Sequence, residues 1–249
     1  MTATANTETK SAFSTLDRIG MGASAGFALA YFLSLPLEPY GGIVVVKGAA
    51  VLLLAVIAWR QSKLTNVRLL ALGLLLSSLG DVFLRIDGVG LFVQGLASFL
   101  VAHLFYIAVF IRLMKRPLSL SGRQKLSVVV VLLYGAALAA WLLPHLGAHT
   151  LPVMIYAAAI IVMGVTSVLA GFARPWVVLG AALFILSDSA IAIDKFVLSV
   201  EGIGYFIWPS YYIGQLLIMT GVIFALCRNS VGERQGSSKK NDNSQLSYK

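Results

Sequence analysis

The chain has 249 residues, of which 59% are hydrophobic and only 12% charged. A soluble domain is roughly 45–50% apolar and about 25% charged, so this charge is too sparse to cover a water-soluble surface. That excludes a cytosolic enzyme, a disordered protein and, despite a net charge of +9, a nucleic-acid binder.

In chain order, residues 1–16 are small and polar, with no cationic start and no apolar core. They read as a disordered tail rather than a signal peptide. Eight apolar runs follow, at about 18–35, 41–59, 67–84, 90–111, 126–143, 150–171, 175–196 and 205–227. A helix needs about 20 apolar residues to cross a bilayer, and each run is near that length. Turn chemistry falls between them: Pro36, Pro39, Gly41 and Gly42; Asp87, Gly88 and Gly90; Pro117 and Gly122; Pro144 and Gly147; Pro175; Gly202 and Gly204. The runs are too long and too continuous for barrel strands. The predicted fold is therefore all-α: a polytopic membrane bundle of eight transmembrane helices over 17–227, with a second polar tail over 228–249. The single cysteine, Cys227, permits no intramolecular disulfide and reads as a small hydrophobe.

The basic residues fix an orientation. With the N-terminus in the cytoplasm, cytoplasmic segments hold Lys10, Arg18, Arg60, Lys63, Arg68, Arg112, Lys115, Arg116, Arg123, Lys125, Arg174, Arg228, Arg234, Lys239, Lys240 and Lys249. Only Lys47, Arg85 and Lys195 fall elsewhere. Such a bias places both termini in the cytoplasm and supports an even number of crossings. The expected location is the bacterial inner membrane.

Ionisable groups inside a bilayer are costly and point to function. Asp81 lies near the outer end of the third run, and Asp188 lies past the middle of the seventh, toward the same side. Lys47 is one and a half turns into the second run from that side. His103 and Gln215 fall near mid-membrane, with Tyr106, Tyr211 and Tyr212 close by in sequence. Ser77 and Ser78 share a helical face with Asp81. Each has a structural alternative: an Asp81–Arg85 pair one turn apart, a satisfied core histidine at 103, a snorkelling Lys47, an interfacial tyrosine belt. Asp188 is harder to explain structurally, because no basic residue lies within one turn. Asp194 and Lys195 read as helix-end charge, and His145 and His149 as loop residues.

A weak internal repeat links the polar groups. The segment around Gly80-Asp81 leads to Phe99-Leu100-Val101-Ala102-His103-Leu104. That around Ser187-Asp188 leads to Tyr211-Tyr212-Ile213-Gly214-Gln215-Leu216. Four runs per half give both halves one orientation, related by an axis along the membrane normal. This 4+4 repeat would bring Asp81 and Asp188 to a common interface.

Taken together, Gly80-Asp81 with Phe83-Leu84, Phe99-x-x-Ala102-His103-x-x-Tyr106, Ser187-Asp188 with Phe196, and Tyr211-Tyr212-x-x-Gln215 resemble the motifs of the YhhN-like lysoplasmalogenase family. The resemblance covers nearly the whole chain, Lys47 included. It implies hydrolysis of the vinyl ether bond of lysoplasmalogens, giving a fatty aldehyde and a glycerophospho-alcohol. It also implies that Asp81 and Asp188 are the family's two buried acids. The partners expected are membrane lipids and a lysophospholipid substrate, and no metal or other cofactor is needed.

The residues suit that chemistry. Protonation of a vinyl ether at carbon gives an oxocarbenium ion, to which water adds. Two carboxyls buried close together can divide the roles of acid and anion, as in glycosidases. His103, Tyr212 and Gln215 would hold water or the leaving oxygen, and Lys47 would meet the lipid phosphate. The sequence leaves open which aspartate is the acid. It also leaves one rival from another class, a small-solute or proton-coupled transporter, which would use buried acids and a parallel repeat in the same way. An intramembrane aspartyl protease lacks support: the stretch Ser78-Leu79-Gly80-Asp81 is one glycine short and no Tyr-Asp partner exists. A zinc hydrolase needs about three clustered ligands.

Overall fold

Eight helices long and apolar enough to cross a membrane account for nearly the whole of the computed structural model, which describes residues 12–38, 41–61, 65–86, 90–114 and 116–246. The first eleven residues, Lys249, the turn residues Pro39, Asp87 and Gly88, and the basic residues Lys63 and Lys115 lie outside the described residues. The helices are α1 (Thr15–Ser34), α2 (Ile43–Arg60), α3 (Thr65–Arg85), α4 (Phe92–Leu113), α5 (Gly122–Leu142), α6 (Thr150–Leu169), α7 (Trp176–Phe196) and α8 (Gly204–Leu246). No strand occurs among the described residues. The protein is a multi-pass membrane protein.

Local chemistry sets several ends. Ser14 caps α1 in a box with Asp17, and Ser121 caps α5 in a box with Gln124. Each serine oxygen accepts the third backbone N–H, and the acidic or amide side chain returns the bond. Both boxes start their helices a few residues before the apolar run begins. The apolar span of α8 ends at Arg228. Helical backbone continues to Leu246, into the stretch whose composition reads as a tail.

Consecutive helices pack side by side except α4 and α5: α4 reaches past α5 to α6, and α8 reaches back to α2. These two contacts correspond under a four-helix shift. The α3–α4 and α7–α8 pairs match too, down to individual residues. A Cβ on Gly73, eight positions before Asp81, would lie 2.6 Å from the ring of Tyr106. A Cβ on Gly180, eight before Asp188, would lie 2.7 Å from the Gly214 carbonyl oxygen and 2.9 Å from Ile218. In lipid there is no hydrophobic drive between helices, so small residues that allow close backbone approach hold such pairs together.

The exception is α5. Only Leu142 on it is fully buried; Val131, Tyr134 and Leu138 are half-buried against the core, and much of the rest of the helix faces outward. The remaining helices surround a polar interior toward the end of the bundle where α3 and α7 finish.

The opposite end is tied by a structural cluster. Asp17, 5% exposed, accepts from Ser14, from Arg60 at 3.3 Å and from Gln61 at 3.2 Å. Phe13, Phe224 and Trp176 stack there as a chain of edge contacts. This brings the two ends of the spanning region together on one side of the bundle.

Candidate active site

Six helices contribute to the polar interior. Lys47 comes from α2, Asp81 with Ser77 and Ser78 from α3, His103 and Tyr106 from α4, Tyr156 from α6, Asp188 from α7, and Tyr211 with Gln215 from α8.

Asp81 is buried and doubly held. Lys47 Nζ lies 3.3 Å from one carboxylate oxygen, and the Tyr211 hydroxyl donates to the other at 2.7 Å. The pairing follows from antiparallel neighbours. Lys47 enters α2 from the end at which α3 carries Asp81 out, so both reach the same depth. The ammonium also lies 5.7 Å from the Tyr31 ring centroid and 5.8 Å from that of Trp208. Aromatic faces attract a cation in this way, most strongly when water is excluded. Trp208 is fixed in turn by its indole N–H, which donates to the Ala28 carbonyl. The Lys47 ammonium thus belongs to Asp81, where the sequence reading gave it to a lipid phosphate.

The alternative Asp81–Arg85 pair is not formed. Arg85 instead pairs with Glu38, which follows α1. Four residues separate Asp81 and Arg85 along α3, so Arg85 sits one turn nearer the end of the bundle.

Asp188 has a different partner. It is half-buried, and the Tyr156 hydroxyl donates to its Oδ2. Among the described residues it makes no ion pair. It lies within electrostatic range of both Asp81 and Lys47, yet no hydrogen bond joins the two carboxyls among the described residues. In each half of the molecule, then, the second helix supplies a partner to the acid on the third: Lys47 to Asp81 and Tyr156 to Asp188.

An aromatic cluster lies between the acids. Phe184, one turn before Asp188, packs 5.2 Å from the Tyr211 ring and 6.2 Å from Phe99. Phe99 is 5.8 Å from Tyr211. Gly80 makes room for Phe99, since a Cβ there would lie 2.6 Å from its ring.

His103 and Gln215 occupy corresponding places in the two halves, and both are fully buried. His103 Nδ1 lies 2.6 Å from the Phe99 carbonyl oxygen. A carbonyl only accepts, so Nδ1 carries the proton and Nε2 offers a lone pair. The ring stands 5.3 Å from Tyr156 and 4.8 Å from Phe184. Tyr106 donates to Gln215 Oε1 at 2.8 Å and contacts Ser77 Oγ at 3.3 Å. That bond turns the Gln215 amide N–H₂ outward from Tyr106. His103 Nε2 and Gln215 Nε2 have no hydrogen-bond partner among the described residues. A buried polar group so left costs about 1–3 kcal/mol, and Tyr106 borders both side chains.

Of the residues singled out by sequence, Lys47, Asp81, His103, Tyr106, Asp188, Tyr211 and Gln215 share this interior. Tyr212 does not: its hydroxyl is 2.8 Å from Ser24 Oγ, which donates to the Ala50 carbonyl at 2.6 Å. Adjacent helix residues point about 100° apart, so Tyr211 and Tyr212 cannot serve one site. Lys195 sits 4.4 Å over the Phe92 ring, away from the acids. The Asp194 carboxylate accepts the Val200 N–H. Tyr156 is the residue sequence reasoning missed. No three of His, Cys, Asp and Glu gather closely enough to hold a metal ion among the described residues.

Residues 42–222 match the YhhN family. The chain is 36% identical to a lysoplasmalogenase of Mycobacterium bovis over 181 residues, which is 72% of this chain and 69% of that one. It is 38% identical to lysoplasmalogenase TMEM86A of Bos taurus over 160 residues, 61% of this chain and 63% of the relative. It is 30% identical to lysoplasmalogenase TMEM86B of Mus musculus over 199 residues, 79% and 82% of the two chains. No solved structure matches the chain.

Proposed function

The chain belongs to the YhhN family, and on that premise we propose that it hydrolyses the vinyl ether bond of lysoplasmalogens within the membrane, with Asp188 as proton donor and Asp81 as the stabilising anion. The observation that carries the reading is the unequal surroundings of two acids on corresponding helices. Asp81 stands beside an ammonium and accepts from a phenol, the surroundings of a carboxylate. Asp188 has a phenol and no ion pair. A carboxyl placed in that way can carry a proton into the reaction.

The chemistry then balances. Asp188 delivers its proton to the vinyl carbon that does not bear oxygen, and the positive charge spreads over the other carbon and the ether oxygen. Asp81 faces that charge. Water held by the His103 Nε2 lone pair and the Gln215 amide adds to the oxygen-bearing carbon, and its surplus proton returns to a carboxylate. The hemiacetal collapses as its hydroxyl proton moves to the glycerol oxygen. One aldehyde and one glycerophospho-alcohol leave, and one water is consumed. Carboxylic acid and carboxylate share a similar oxocarbenium reaction in glycosidases. Tyr106 and Tyr211 orient Gln215 and Asp81. The fatty chain lies among apolar helix faces.

The basic residues gathered at the termini end support a cell-membrane protein with both termini in the cytoplasm. The acids then lie in the non-cytoplasmic half.

The test is product analysis by mass spectrometry with purified protein and a lysoplasmalogen in heavy water. The expected product is an aldehyde carrying one deuterium on the carbon next to the carbonyl. Release of no aldehyde, together with movement of a solute or protons in liposomes, would replace this reading with a transporter.

A further inference from the structure

Glu38 and Arg85 form an ion pair at the end of the bundle nearest Asp81. Their side chains are only 21% and 22% accessible. Each nevertheless keeps one buried polar atom with no hydrogen-bond partner among the described residues: Oε1 on Glu38 and Nε on Arg85. A closed, purely structural pair in a protected place would be expected to satisfy both forks, because each unmatched group costs about 1–3 kcal/mol. The two open positions are one acceptor beside a negative charge and one donor beside a positive charge. The complementary ligand carries an anion with acceptor oxygens and a cation with N–H donors, close together.

Spacing identifies the ligand further. Arg85 follows Asp81 by four residues, and a rise of 1.5 Å per residue separates them by about 6 Å along α3. In a lysoplasmalogen, five bonds join the vinyl ether oxygen to phosphorus. With bonds of about 1.5 Å, an extended chain of that length spans about 6 Å. A substrate with its ether bond at the acids therefore has its phosphate at the level of Arg85.

We propose that Glu38 and Arg85 are the head-group clamp of this enzyme, with Arg85 Nε–H donating to the phosphodiester and Glu38 Oε1 accepting from the primary ammonium of an ethanolamine head group. This rests on the vinyl ether reading. Choline satisfies Arg85 but has no N–H for Glu38, so ethanolamine is the favoured head group.

The experiment compares kcat/KM for three substrates of one chain length: 1-alkenyl-glycerol, which has no phosphate, and the 1-alkenyl-glycerophospho forms of choline and ethanolamine. Ratios within one preparation do not depend on how much of a variant is folded. For the wild type, ethanolamine should exceed choline, and choline should exceed the headless lipid, each by about tenfold or more. Arg85→Ala should collapse the choline-to-headless ratio toward one. Arg85→Lys should restore part of it, since the charge returns without the planar fork. Glu38→Gln keeps the side chain's shape and removes its charge, and should collapse the ethanolamine-to-choline ratio. A wild type indifferent to head group, or variants that keep both ratios, would overturn the clamp while leaving vinyl ether hydrolysis standing. A wild type that releases aldehyde from none of the three would overturn the function and the clamp with it.

Discussion

Asp81 and Asp188 hold corresponding places on α3 and α7, yet they live differently. Each is met by the second helix of its own half, but α2 brings an ammonium and α6 brings a phenol. The other phenol, Tyr211, stands where the first half has Phe99, and its hydroxyl crosses to Asp81 rather than staying with Asp188. Three side chains make the two surroundings unequal. Unequal surroundings assign the proton to one particular carboxyl, where an equivalent pair would share it between both.

The largest effects should come from the acids themselves. Asp81→Asn and Asp188→Asn should each lower aldehyde release by about 10²–10⁴-fold, the range of a general acid or base. Near-wild-type turnover by either would dissolve the comparison. Next is Lys47→Met, which leaves a buried carboxylate without its cation. Removing one partner of such a pair costs about 3–5 kcal/mol, so thermal stability in detergent should fall sharply. The double change Lys47→Met with Asp81→Asn should recover most of it. The matched tyrosines sharpen the contrast. Hydrogen bonds to charged groups are worth more than those between neutral ones, so Tyr211→Phe should slow turnover about tenfold or more and Tyr156→Phe about fivefold. The smallest effect belongs to Tyr212→Phe, which loses only the bond to Ser24. It should cost about 1 kcal/mol of stability and slow turnover less than Tyr211→Phe does.

Much of this was legible before the structure. Apolar run length alone places the eight helices, because nothing else satisfies a backbone in lipid. The ends drift where capping decides. Gly122 begins α5 four residues before its apolar run, on the strength of the Ser121–Gln124 box, a Ser-x-x-Gln signal readable in the sequence. Ser14-x-x-Asp17 is the same signal, and with it Asp17 could have been recognised as a structural acid. The two acids of the interior were legible because charge in an apolar run is conspicuous. Tyr156 was not, since a tyrosine in a membrane helix is ordinary and its role depends on which face α6 turns to Asp188. The Arg85–Glu38 pair was hidden for another reason. Asp81, one turn from Arg85, looked like its natural partner, and only the packing of α2 against α3 shows Lys47 taking that place.

The division of labour between the acids is tested most directly by the infrared band of a protonated carboxyl in the resting protein at neutral pH, recorded for the wild type and both Asp→Asn variants. The band should be present in the wild type, absent from Asp188→Asn and retained in Asp81→Asn. A band that survives in Asp188→Asn and disappears in Asp81→Asn would reverse the roles, and its absence from the wild type would contradict a resident proton donor altogether.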